Sequence, residues 1–141
     1  MKSINPYLIF NGNAEEAFDF YQSVFGGELE KVRYSDMSDT MNIADEDRNR
    51  MAHIALPLSA NGQILMASDA SRATQVNLVE NGAFHVCIEP ENREEAERVF
   101  EKLSEGGNVF MPLGEAAWAE LAAMFADKFG IQWMINFGDK G

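Results

Sequence analysis

The stretch Asn13-Ala-Glu-Glu-Ala-Phe-Asp-Phe-Tyr-Gln-Ser-Val-Phe25, followed by Gly26-Gly27, decides the fold. A second stretch, Asn92-Arg-Glu-Glu-Ala-Glu-Arg-Val-Phe-Glu-Lys-Leu-Ser-Glu105, opens in the same way and also ends on a glycine pair, Gly106-Gly107. Asparagine suits the N-cap of a helix, acidic residues suit its first turn, and glycine suits its end. The two stretches therefore predict two helices of matching design.

Each predicted helix has a capping box and one apolar face. Asn13 and Asn92 are the N-cap candidates, and Glu16 and Glu95 lie three residues later, where a reciprocal capping box requires them. At helical spacing the apolar faces are Ala17, Phe20, Tyr21 and Val24 in the first helix and Ala96, Val99, Phe100 and Leu103 in the second.

Strand-like runs surround both helices in the same order. One run precedes each helix and three follow it, so the repeated unit is strand, helix, three strands. A hairpin is predicted at Asn61-Gly62, and residues 35–50 are predicted to form a polar, mobile loop. The predicted strands are 7–10, 28–34, 51–56 and 63–67 in the first unit, and 84–88, 108–111, 120–126 and 131–137 in the second.

Residues 115–126 admit two interpretations. They are rich in Ala, Leu, Glu and Met, and propensity alone favours a helix. The repeat instead places strands in this part of the chain. We follow the repeat, which makes Asp127-Lys-Phe-Gly130 the final turn.

The composition restricts the partners. The chain has 141 residues and a formal net charge of -12. We therefore expect neither nucleic acid nor an anionic membrane surface as a partner, because both select clustered Lys and Arg. No signal sequence or membrane span is predicted. The single cysteine, Cys87, cannot form an intramolecular disulfide and favours a cytoplasmic location.

The predicted fold class is α+β, with two βαβββ modules in one compact domain. The first module is predicted over residues 1–68 and the second over 83–141, with a linker over 69–82. Each module is too small to bury its own apolar side, so we expect the two to share a core.

A βαβββ unit that occurs twice resembles the vicinal-oxygen-chelate superfamily of glyoxalase I, extradiol dioxygenases and fosfomycin- and bleomycin-resistance proteins. The sequence is similar to the PhnB-like branch of that superfamily in Tyr7-Leu-Ile-Phe-Asn-Gly-Asn-Ala-Glu-Glu-Ala-Phe-Asp-Phe-Tyr21, Phe25-Gly-Gly27 and Asp127-Lys-Phe-Gly-Ile-Gln-Trp133. The resemblance implies eight strands that curl into a cleft, with the first and fourth strands of each module side by side. It also implies a homodimer, with or without exchanged modules.

Metal-dependent members of the superfamily take one His, Gln or Glu ligand from each of those four strands. The matching positions here are Tyr7 (or Pro6), Met66, His85 and Met134, and only His85 is of a ligand type. A register shift of two residues would bring in Ser68 and Asn136, which are weak neutral donors. Thioethers suit hard or borderline divalent cations poorly, so we expect no metal and no other cofactor.

The resemblance gives a candidate ligand-binding set in which His85 fixes a polar group while the methionines contact an apolar body. His85 is also the one candidate for a catalytic residue, and a purely structural histidine is equally compatible with the sequence. The set is Tyr7, Met66, His85, Gln132, Met134 and Asn136.

Other residues favour structural roles. His53 is expected to be structural or partly exposed, and Trp133 to lie in the core, while Trp118 is a candidate for a pocket wall. Cys87 is expected to be a small buried hydrophobe rather than a nucleophile. The acidic residues between Asp36 and Asp47 lack the spacing and central glycine of a calcium loop.

The sequence thus predicts a PhnB-like protein of unassigned activity that binds a small molecule in the cleft. One alternative is a metal-dependent lyase, isomerase or dioxygenase that uses His85, and another is an antibiotic-sequestering resistance protein. Whether the chain is an enzyme stays open. A ubiquinone-pathway methyltransferase is disfavoured, because no glycine-rich strand-to-helix turn is present to hold the usual cofactor.

Overall fold

The computed structural model describes residues 1, 3–37, 43–58, 61–71 and 84–140. The chain divides into two compact units, Met1–Leu78 and Val79–Gly141. Within the described residues each unit holds one α-helix and one four-stranded sheet, in the predicted order of strand, helix and three strands. The α+β class and the internal repeat are therefore confirmed. Neither described helix is long and apolar enough to cross a membrane.

The first unit has its strands in the spatial order β1-β4-β3-β2. β1 and β4 are parallel neighbours, and the other pairs are antiparallel. Two short 3-10 helices, Tyr34–Asp36 and Asp45–Asp47, lie between β2 and β3. The elements are β1 (Tyr7–Phe10), α1 (Ala14–Phe25), β2 (Glu30–Arg33), β3 (Met51–Pro57) and β4 (Ile64–Asp69).

The second unit repeats this arrangement in the order β5-β8-β7-β6, again with its first and fourth strands parallel. β7 confirms the interpretation based on the repeat over the one based on helix propensity. Its residues pair with β6 on one side and β8 on the other, and this pairing outweighs the local preference. The elements are β5 (Val86–Ile88), α2 (Arg93–Ser104), β6 (Asn108–Gly114), β7 (Ala119–Ala126) and β8 (Gln132–Asp139).

Each helix packs on one face of its own sheet. Phe18 of α1 meets Phe10 of β1 edge to face, with ring centroids 6.3 Å apart. Phe100 of α2 meets Phe125 of β7 in the same way at 5.5 Å. The predicted apolar face of α1 included Phe20 and left out Phe18. In the structure Phe18 is fully buried, while Phe20 is only half-buried. Phe18 fills the space beside Phe10, a contact that helical spacing alone does not identify.

The N-cap prediction is confirmed for α2 and wrong for α1. The Asn92 side chain accepts a hydrogen bond from Glu95 N at 2.8 Å, and the Glu95 carboxylate accepts one from Glu91 N. The Asn13 side chain makes no capping hydrogen bond. A residue of β4 takes its place, because Asp69 Oδ1 accepts from Gly12 N at 2.9 Å and from Ala14 N at 3.0 Å.

Residues 35–50 are held at both described ends. Ser35 N donates to Arg48 O at 3.0 Å, and the Tyr34 hydroxyl donates to Asp69 O at 2.8 Å. Asp47 is 4% exposed. The described ends of the predicted loop thus contain hydrogen-bonded turns and a buried carboxylate, the mobility of the loop stays a prediction, and residues 38–42 lie outside the described part of the chain.

The predicted linker, residues 69–82, falls mostly outside the described residues. Its first residue, Asp69, belongs to β4. The module boundaries stay a prediction.

Replacing Asp69 tests how much its carboxylate contributes to the stability of the first unit. Its carboxylate is buried, and Oδ2 also accepts from Met51 N at 2.9 Å, so it serves three backbone donors. We expect Asp69→Asn to lower the free energy of unfolding by about 3 kcal/mol, because an amide group replaces one acceptor by a donor. Urea denaturation measures the change.

Asp19→Asn is the matched control. Asp19 is exposed and makes one ion pair with Lys31, so its loss should cost under about 1 kcal/mol. An equal effect of the two substitutions would contradict the structural role of Asp69.

Candidate functional site

The sheet of the first unit has one face turned away from α1, which we call face 1. It consists of alternate strand residues, while their neighbours Leu8, Phe10, Leu65 and Ala67 are buried on the helix side. Tyr7 lies opposite Met66, and Met66 lies opposite Ala55. The predicted site residues Tyr7 and Met66 are thus brought together. Face 1 comprises Tyr7, Ile9, His53, Ala55, Met66 and Ser68.

Face 1 carries a hydrogen-bonded pair that sequence reasoning undervalued. The Tyr7 hydroxyl and His53 Nδ1 are 3.2 Å apart, and the two rings lie 5.8 Å apart. His53 is half-buried, in agreement with the expectation of partial exposure, but its partner was not foreseen. Strand alternation places both residues on one face; their contact depends on how β1, β4 and β3 lie side by side.

The second unit has a corresponding face 2, turned away from α2. Cys87 lies opposite Met134, and Met134 lies opposite Met124. His85 directly precedes β5, which is shorter than predicted, and alternates with Cys87. Gln132, Met134 and Asn136 therefore share one surface with Cys87, and the chain position of His85 alternates onto the same side. Face 2 comprises His85, Cys87, Met124, Gln132, Met134 and Asn136.

Polar side chains on face 2 are fixed by one another. The indole N–H of Trp118 donates to Asn136 Oδ1 at 2.9 Å, and Asn136 Nδ2 lies 3.8 Å from Cys87 Sγ. Gln132 Nε2 donates to Phe84 O at 2.8 Å, which ties β8 to the chain just before β5. Trp118 is accordingly part of this site, whereas Trp133 is 1% exposed and lies in the core as predicted.

His85 differs from these residues. Its Nε2 atom is buried but has no hydrogen-bond partner among the residues that the structure describes. Buried polar atoms in proteins are nearly always paired. Among the described residues, the imidazole therefore leaves one hydrogen-bonding position unused.

A groove lies where β8 ends. Its volume is about 540 Å³, within the usual range for small-ligand sites. Trp118, 47% exposed, forms one of its walls. The other lining residues are Glu89, Pro90, Ala119, Asn136, Phe137, Gly138 and Asp139.

The residues at the superfamily's metal-ligand positions do not fit a metal. The Tyr7 hydroxyl already forms a hydrogen bond with His53. Met66 and Met134 offer only thioether sulfur. His85 is a single residue with a nitrogen ligand atom. Within the described residues no three His, Cys, Asp or Glu side chains lie close enough together to hold an ion. Hard divalent cations need several oxygen or nitrogen donors.

The architecture and the sequence together assign the class of protein. The described residues form two βαβββ units, each with parallel first and fourth strands. Residues 3–135 match the model of the Glyoxalase/Bleomycin resistance protein/Dioxygenase superfamily. The chain belongs to this superfamily.

Its relatives place it in the PhnB-like branch. A protein of Pseudomonas aeruginosa with a crystal structure is 38% identical, with 96% of this chain and 97% of that chain covered and a TM-score of 0.84. A PhnB protein of Bacillus cereus, described as a candidate 3-demethylubiquinone-9 3-methyltransferase, is 29% identical, with 96% and 99% covered and a TM-score of 0.72. Protein YjdN of Escherichia coli K12 is 29% identical, with 94% and 93% covered.

The environment of the Cys87 thiol on face 2 changes its pKa. Partial burial raises the pKa of the Cys87 thiol, and the charge of Glu89 raises it further, while the contact with Asn136 lowers it. The thiolate is the reactive form. We therefore expect iodoacetamide to alkylate Cys87 more slowly than free cysteine at the same pH, and Glu89→Gln to lower the thiol pKa and speed the reaction.

The measurement is the alkylation rate against pH, and the single cysteine makes it specific. Glu97→Gln on the exposed side of α2 is the control and should change nothing. A rate profile unaltered in Glu89→Gln would show that the charge of Glu89 does not reach the thiol.

Proposed function

We propose that this chain binds a small molecule on the open faces of its sheets. The observation that carries the proposal is His85, whose buried Nε2 has no partner among the described residues. A ligand group that bonds to Nε2 would remove the cost of leaving it unpaired, which is about 1–3 kcal/mol. The protein would thus gain affinity for a ligand that places a polar atom there.

The half-buried residues of each face support an apolar ligand body with few polar groups. On face 2, Met134 lies opposite Cys87 and Met124 lies opposite Met134, and both methionines are half-buried. Met66 is half-buried on face 1. Methionine adapts its shape to irregular apolar ligands. Binding sites commonly combine such walls with a small number of polar anchors.

The proposed roles of the remaining residues follow from their contacts. Tyr7, held by His53, would offer a hydroxyl on face 1. Asn136, held by Trp118, would offer its second amide group on face 2. Gln132 bonds the backbone of Phe84, so its main contribution would be to keep β5 and β8 aligned.

Replacing His85 tests the proposal. His85→Leu removes an imidazole nitrogen that bonds no described protein atom, so the free energy of unfolding should stay within about 0.5 kcal/mol or rise. Affinity for compounds that bind face 2 should fall about tenfold. Urea denaturation measures the first quantity, and calorimetric titration with a panel of aromatic amides, carboxylates and amines measures the second.

Glu101→Gln, on the exposed side of α2, is the control for both measurements. Loss of more than about 1 kcal/mol in His85→Leu would assign His85 a structural bond instead. A panel in which no compound binds the parent protein would contradict the proposed function itself.

A metal-assisted enzyme is the main alternative, since the resemblance to metal-dependent members implies a divalent cation. The side chains at the four metal-ligand positions, with two thioethers and one imidazole among them, argue against a bound cation in this chain. Elemental analysis of the purified protein decides the matter: we expect well under one metal ion per chain. A stoichiometric metal that is lost in His85→Ala would overturn this view and favour the enzyme.

We further propose a cytoplasmic homodimer. The free thiol of Cys87 suits a reducing compartment. β6 is an edge strand of its sheet, and its Val109 and Phe110 are 46% and 51% exposed. Exposed apolar edges of this kind are typical of association surfaces. Light scattering should then give twice the chain mass of 15.7 kDa.

A further inference from the structure

We propose that the groove at the end of β8 selects an organic cation, either a quaternary ammonium or a protonated amine carried on an apolar body. The indole of Trp118 would contact the cationic group, and nearby carboxylates would balance its charge. The inference rests on the proposed small-molecule function and names the ligand class that the second unit would take.

Trp118 is prepared for such a contact. Nearly half of the Trp118 surface is exposed, yet hydrogen bonds hold both its indole ring and its backbone. Its indole N–H bonds Asn136 Oδ1 at 2.9 Å, and its backbone carbonyl accepts from Lys140 N at 3.0 Å. An aromatic ring that is already held in place loses little conformational freedom when a ligand binds. Indole is also the side chain that attracts cations most strongly.

The charged side chains that line the groove, in the part of the chain that the structure describes, are all acidic. They are Glu89 and Asp139, and no lysine or arginine of these residues lines it. Lys140, the nearest basic residue in sequence, pairs with Glu115. An anionic ligand would be repelled here, and a cation would be attracted.

A third carboxylate, that of Glu120, lies next to Gly138, a residue that lines the groove. Gly138 lines the groove with φ of 71°, and a Cβ atom built there would lie 2.7 Å from the carboxyl group of Glu120. Any side chain at this position would displace Glu120. The glycine therefore serves to keep the Glu120 carboxylate close to the backbone of β8.

The lining favours an organic cation over a metal ion. The Trp118 indole offers an N–H donor and no acceptor to a metal ion, and the Asn136 amide oxygen already accepts from that N–H. The same groups, beside Pro90 and Phe137, suit a cation that is weakly hydrated and carries carbon substituents. Recognition of quaternary ammonium groups by aromatic side chains and carboxylates uses this chemistry.

Three probes of similar size test the inference on the whole 141-residue chain: benzyltrimethylammonium, benzyl alcohol and phenylacetate, which are cationic, neutral and anionic. Calorimetric titration at low salt should show binding of the cation at least about tenfold tighter than binding of the other two. Raising the salt to about 0.5 M should weaken it, since exposed charges are then screened.

Variants locate the site. Trp118→Leu should weaken cation binding about threefold or more, and Glu89→Gln and Glu120→Gln should each weaken it severalfold. Gly138→Ala should resemble Glu120→Gln, because it displaces that carboxylate. Glu94→Gln, which removes one exposed charge from α2, is the matched control and should leave affinity unchanged.

The outcomes separate the two proposals. Equal affinity for the cation and the alcohol, or cation affinity that survives both Trp118→Leu and Glu89→Gln, would overturn the inference. If the alcohol or phenylacetate binds and the binding depends on His85, the proposed small-molecule function stands and the cation inference is wrong. If neither these probes nor the wider panel bind, the proposed function and the cation inference are both wrong.

Discussion

A single helix can cover only one face of a four-stranded sheet, and this constraint governs both units. α1 and α2 bury the residues of alternate strand positions on their side. The other positions are left as half-buried surfaces of mixed chemistry. Tyr7 and Met66 lie on the open face of the first unit, and Gln132, Met134 and Asn136 lie on that of the second, while His85 directly precedes β5.

Each unit also depends on one buried carboxylate. Asp69 accepts from three backbone N–H groups and so joins the start of α1 to β3 and β4. Asp127 accepts from Phe129 N and Ile131 N with one oxygen and from the Trp133 indole with the other. A buried charge is stable only when several donors surround it, so each aspartate fixes the loop that supplies those donors.

The two open faces are chemically different although the folds match. Face 1 is centred on the Tyr7–His53 pair. Face 2 has a thiol and two amides, His85 Nε2 has no hydrogen-bond partner among the described residues, and the groove beside this face is acidic. Duplication therefore supplies the framework, and divergence of the half-buried positions supplies whatever chemistry the protein performs. This is why membership of the superfamily does not by itself specify a ligand.

The sequence by itself determined the repeat, both helices and the order of the strands along the chain. These features follow from local periodicity, caps and turns, which act over a few residues. It also predicted a strand over residues 120–126, where the structure has Ala119–Ala126, but only by comparison of the two halves, since propensity favoured a helix. The tertiary structure alone decided that Asp69, 55 residues from Ala14, caps α1, and that Tyr7 meets His53 across 46 residues. Such contacts depend on strands brought together in space, and no local pattern encodes them.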